Sequence, residues 1–141
     1  MRSHHNDRSR DHRRRHHSRV TLNIACILVT GGLYCLNRFA IKPTTDFLFF
    51  EAYFNDLLAM PFLLGFVNLL SQMVLPAWRG LQSPSSVAAL TVVCVIAWEV
   101  IAPSIIPWSV ADPWDVVAYS LGSIAYLALL TVPPSESRGG R

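Results

Sequence analysis

Apolar residues fall in four long runs, at about 20–37, 56–78, 85–102 and 114–132, separated by short polar stretches. A helix needs roughly 20 apolar residues to cross about 30 Å of hydrocarbon, so each run is long enough to span a bilayer. The pattern predicts an all-α, four-helix transmembrane bundle over residues 20–133. Residues 1–19, MRSHHNDRSRDHRRRHHSR, are polar and aperiodic and predict a disordered basic tail. A short polar tail, 134–141, closes the chain. Between the first two runs lies RFAIKPTTDFLFFEAYFN, too polar to span yet rich in aromatics. It predicts an interfacial segment between spans one and two, a short amphipathic helix or a re-entrant piece, with Asn55 or Asp56 capping span two.

Within the runs, Gly31 and Gly32 predict a close helix approach on span one. On span two, Pro61, Gly65, Asn68 and Gln72 follow i, i+4, i+7, i+11 and predict a packing stripe. Pro61 falls early in that span, where a proline does least harm. Ser83-Pro84 reads as an N-cap followed by proline at the first helical position. Pro103 and Pro107 end or kink span three. Trp78, Trp108 and Trp114 suit an interfacial belt.

Composition sharpens this picture. The chain is 52% hydrophobic and only 15% charged, too apolar for a soluble domain. Seven of its 12 basic residues and all five histidines lie in the first 19 positions. With four spans, the tail, Arg79, Arg138 and Arg141 share one side, against Arg38 and Lys42 on the other. This asymmetry predicts that both termini lie in the cytoplasm. Asp46, Glu51, Asp56, Glu99, Asp112 and Asp115 then lie toward the outside. The tail has no interleaved aromatics and predicts no specific nucleic-acid partner. Anionic lipid headgroups suit it better, at about 1 kcal/mol per well-placed arginine. No small-x-small cleavage site follows span one, so the run reads as a retained span and not a signal peptide. Cys26, Cys35 and Cys94 read as small packing residues. No histidine lies beyond His17, which argues against a zinc site, a Cys–His nucleophile or a Ser–His–Asp triad in the bundle. No metal, cofactor or catalytic constellation is predicted.

The polar residues that remain gather at the outer side. Glu99 lies about 20 Å into span three, roughly 10 Å below the outer surface. An acid at that depth must face the bundle interior and find a partner or be protonated. Asp56 begins span two and Asp115 begins span four, so three helices bring carboxylates toward one end. Arg38 and Lys42 are the counter-ions at hand. Tyr119 and Gly122 extend the Asp115 face inward. Asp112-Pro113-Trp114-Asp115 also has the form of a capping box, in which both aspartates serve helix ends alone. The predicted binding residues are Glu99, Asp56, Asp115, Asp112, Arg38 and Tyr119.

The segment DPWDVVAYSLGSIAY, preceded by Trp98-Glu99, resembles the closing helix of VanZ-like small multi-pass bacterial membrane proteins. The resemblance implies an inner-membrane protein of envelope physiology and points to Asp56, Glu99, Asp112, Asp115 and Gly122. Two functions fit the residues. One is binding of a ligand, lipid, headgroup or partner protein at the acidic cluster. The other is a small cation- or proton-coupled transporter or channel subunit using Glu99, which in so narrow a bundle requires a homo-oligomer. An intramembrane hydrolase fits least, for want of a nucleophile.

Overall fold

The computed structural model describes residues 3–74, 80–81 and 83–131, with side chains from Ser18 onward. Trp78, Arg79 and the tail 134–141 lie outside the described residues. The fold is all-α, and four helices are long and apolar enough to cross a membrane: Ser18–Thr44, Phe49–Val74, Pro84–Ile105 and Pro113–Thr131. Among the described residues there is no strand.

Helix α1 runs from Ser3 to Leu36, so residues 3–19 are helical and not the disordered tail that their polarity predicts. No proline or glycine precedes Gly31, and arginine is a good helix former. A helix already nucleated by a membrane span extends at little cost. The same helix continues through a π turn, Asn37–Ile41, and a 3-10 turn, Lys42–Thr44. Helix resumes at Leu48, through a π turn Phe49–Tyr53 into α2, Phe54–Val74.

The predicted interfacial segment is thus itself helical apart from residues 45–47, and the helices of spans one and two extend into it. Two contacts explain why this polar stretch stays helical. Asn37 donates through Nδ2 to the Phe50 carbonyl and to Asn55 Oδ1, both at 2.9 Å. The rings of Phe47, Phe49, Phe50 and Phe54 pack edge to face or tilted, with centroids 5.3 to 6.0 Å apart. Asn55 and Asp56 consequently sit inside a continuous helix and cap nothing. Pro61 likewise sits well inside α2.

Helix α3, Pro84–Val95, begins as the Ser83-Pro84 pattern predicts: Ser83 Oγ accepts the Ser86 N–H at 3.1 Å. It widens into a π turn, Ile96–Ile101, and then α4, Ala102–Ile105. Pro103 does not end the span. The wide turn just before it makes room for a ring that would collide with the carbonyl four residues back. Helix α5, Pro113–Thr131, closes the fold.

Helix α2 packs along α1 on one side and α5 on the other, while α3 rests mainly on α5. The α1 face is set by Asn23, Cys26, Thr30 and Asn37, all buried. Their near-heptad spacing is that of helices crossing at a shallow angle. The predicted α2 stripe is buried at Pro61, Gly65 and Asn68. A Cβ on Gly65 would come within 3.3 Å of the Asn23 carbonyl, so this glycine holds α1 close. Gly32 does not play the role that its sequence context predicts: nothing lies within 4 Å of a Cβ there. It sits two positions past Thr30 and so turns away from the α1–α2 seam.

Gly122 marks the tightest approach. A Cβ at this position would run into the Leu57 carbonyl and come within 2.9 Å of Pro61 Cδ. Pro61 has no N–H, so the Leu57 carbonyl lacks its usual helical donor. The bare Cα of Gly122 fits against that carbonyl, an arrangement suited to a weak Cα–H···O contact.

A buried polar chain joins the helices at the opposite, basic end. Tyr126 donates to Asn23 Oδ1 at 2.8 Å and accepts from Asn68 Nδ2. The Asn68 amide also pairs with both backbone groups of Leu81, donating to its carbonyl at 3.0 Å and accepting its N–H. The turn before Leu81 uses Gly80 at φ 69°, a left-handed conformation that glycine adopts without strain. Asn68 and Tyr126 together thus stitch spans one, two and four to the loop that starts span three. Nearby, the Thr91 and Ser123 hydroxyls pair at 2.7 Å between α3 and α5.

Candidate functional site

The acidic residues named from the sequence meet at the end of the bundle where residues 45–47 and 106–112 turn. The close approach at Gly122 sets the frame. It presses α5 against the Asp56–Leu57 turn of α2, and Tyr119, one turn before Gly122, donates to Asp56 Oδ1 at 3.4 Å. Tyr119 is only 3% exposed, so its hydroxyl is delivered to Asp56 from within the bundle. From the neighbouring turn, Tyr53 donates to Asp112 Oδ2 at 3.2 Å.

Glu99 has a defined partner, and it is not a cation. Its Oε2 accepts the backbone N–H of Asp112 at 2.8 Å. Among the described residues neither Arg38 nor Lys42 forms an ion pair with it. Asp112 is the N-cap of α5 as predicted, its Oδ1 accepting the Trp114 N–H at 2.9 Å. In a capping box the acid at the third helical position would reach back to the cap residue's own N–H. Here that amide is already taken by Glu99 from a different helix. The box is completed across two spans, and Asp115 is released from capping. The pattern DPWD points to a local box because local spacing is all a sequence offers. The partner 13 residues upstream is set by the π turn Ile96–Ile101 that carries Glu99.

Asp56, Glu99, Asp112 and Asp115 lie close enough to feel one another's charge, and Lys42 acts on Asp56 from the end of span one. Arg38 is exposed and forms no ion pair or hydrogen bond with the cluster's described residues. Five of the six predicted residues are therefore brought together and Arg38 is not. Among the described residues no group of three or more His, Cys, Asp or Glu side chains is arranged to hold a metal ion.

A cavity of about 610 Å³ opens beside the cluster. Asn55, Asp56 and Tyr119 line one end of it. Tyr34 of α1, Leu63 of α2, and Ala97 and Trp98 of span three line the rest. Among the described residues that line it, none is Lys, Arg or His. Sequence reading does not foresee this cavity. It exists because span three leans on α5 and leaves its other flank apart from α1 and α2. The buried asparagines also escape a reading centred on charges. Asn23, Thr30 and Asn37 recur at intervals of seven in an apolar run, and that period was the signal available.

No family model, curated protein or solved structure matches the chain.

The Glu99 contact carries a direct prediction. Glu99→Gln keeps an oxygen to accept the Asp112 amide and is expected to shift stability by less than about 1 kcal/mol. Glu99→Ala leaves that amide unpaired and is expected to cost about 1–3 kcal/mol. Thermal unfolding of both variants in lipid nanodiscs reads the difference. Equal losses would mean that the carboxylate charge, and not the cap, matters at this position.

Proposed function

We propose that this is a multi-pass inner-membrane protein whose acidic end binds a ligand, with both termini in the cytoplasm. One observation supports binding over transport above all: the Glu99 carboxylate is held by the Asp112 backbone amide and serves as a fixed cap. A proton or cation carrier needs an acid that exchanges its partner during the cycle. Glu99 instead closes a helix end and leaves Asp56, with Tyr119, as the carboxylate that faces open space. The resemblance of the closing helix to VanZ-like proteins is the support for a role in envelope physiology.

Ion flux in proteoliposomes tests this reading against its rival. Wild type and Glu99→Gln are both expected to be impermeable to protons and monovalent cations. A wild-type flux that Glu99→Gln abolishes would replace the binding role with transport. Orientation has its own test. A periplasmic-active reporter fused after Arg141 is expected to be silent, and a cytosolic one active. The reverse result would turn the acidic end toward the cytoplasm.

A further inference from the structure

We propose that the cavity beside Asp56 takes a single-chain amphiphile with a cationic amine head, its alkyl chain lying between spans one, two and three. This rests on the binding reading above and names the ligand class for the same end of the bundle. Three observations carry it. First, the volume of about 610 Å³ is in the range of small-molecule sites and far larger than a packing defect. Second, its lining is graded. Asp56, Asn55 and Tyr119 mark one end, and the wall then continues along α2 to Leu63, seven residues on. At 1.5 Å per residue that is about 10 Å deeper in the bilayer. An alkyl chain fits the depth and a polar head fits the end.

Third, the charge is one-sided. Among the described residues, Asp56 is the only ionisable acid or base lining the cavity apart from tyrosines and Cys94. An anionic head would meet a carboxylate with no cation among the described lining residues, and with an uncharged head Asp56 would have Lys42 alone, which is not among those lining residues, against the neighbouring acids Glu99 and Asp112. A primary or quaternary amine supplies positive charge at the cavity wall itself. Trp98 and Tyr34 also line the wall, and aromatic rings attract such a cation. Span three packs mainly on α5, so an amphiphile enters from the lipid phase between spans one and three without parting a helix seam.

The test uses the full chain in nanodiscs of phosphatidylglycerol and a neutral diacyl glycolipid, which carry no amine. The probe is a long-chain alkylamine with a dibrominated chain, read by quenching of tryptophan fluorescence, with Trp98→Phe as the control for position. Saturable quenching is expected for the alkylamine, with the matching alcohol at least about ten-fold weaker and butylamine without effect. Asp56→Asn keeps an oxygen for the Tyr119 hydroxyl and is expected to weaken the alkylamine about ten-fold or more. Ala97→Phe fills the cavity from span three, away from Asp56, and is expected to weaken it as much. If Ala97→Phe has no effect while Asp56→Asn does, the chain does not lie in the cavity; the amphiphile proposal fails and the acidic-end reading stands. If the alcohol binds as well as the amine and Asp56→Asn is silent, the amine is wrong and the acidic end is not the binding determinant. If nothing saturates, the cavity has no such ligand.

Discussion

Gly122→Val is expected to be the most damaging single substitution in the bundle. The first added carbon meets the Leu57 carbonyl and the Pro61 ring, and neither can swing away as the tip of a flexible side chain would. Overpacking a tight interior typically costs about 1–3 kcal/mol, and more where backbone must move. Here the moving parts are whole helices, α2 and α5. Folded domains are stable by only about 5–15 kcal/mol, so a loss at or above the top of that overpacking range is expected to show as low yield and a much reduced Tm. Gly122→Ala is expected to fall between wild type and Gly122→Val. Gly32→Ala is the matched control, since a Cβ there meets nothing within 4 Å. It is expected to be neutral or to stabilise by up to about 1 kcal/mol, the usual gain from replacing glycine in a helix. Because Gly122 holds α5 against the Asp56 turn, Gly122→Ala is also expected to weaken binding at the acidic end. If Gly122→Val unfolds at the same temperature as Gly32→Ala, the α2–α5 seam is not where the structure places it.

The second large effect is expected at the other end of the molecule. Asn68→Leu removes the amide that pairs with both backbone groups of Leu81 and with the Tyr126 hydroxyl. Hydrogen bonds between membrane helices average about 0.6 kcal/mol, so three of them set an expectation of about 2 kcal/mol. The loss is expected to be local as well as global. The Leu81 amide has Asn68 Oδ1 as its acceptor, and in Asn68→Leu its hydrogen exchange is expected to rise sharply. Tyr126→Phe breaks the links to Asn23 and Asn68 but leaves the Asn68–Leu81 pair, so Leu81 is expected to stay protected there. Equal protection at Leu81 in wild type and Asn68→Leu would show that the loop is held by something else.

Much of this architecture is legible in residue order. Four apolar runs read as four membrane-length helices because the period and length of apolar residues carry that information. Ser83-Pro84 and Asp112-Pro113 read correctly as helix starts because capping is a local matter of neighbouring residues. Pro61, Gly65 and Asn68 read as a buried stripe because helical spacing places them together. What escaped was contact between distant residues. Glu99 capping Asp112 depends on a π turn, which has no sequence mark of its own. The polar stretch after Asn37 looked too hydrophilic to continue a span, since nothing local reveals that Asn37 bonds to Phe50 and Asn55. Gly31-Gly32 looked like the close approach and Gly122 did not, because a glycine's partner lies on another helix. The cavity is the hardest of all to foresee, being the space left by a helix that leans one way.

The binding role of the acidic end is tested most directly by native mass spectrometry of the protein ejected from its own membranes, wild type beside Asp56→Asn. Wild type is expected to carry a bound amphiphile that survives ejection, and Asp56→Asn is expected to lose it while keeping the wild-type charge-state distribution of a folded bundle. An adduct of equal occupancy in both proteins, or none in wild type, would contradict the assignment of Asp56 and its cavity as the site.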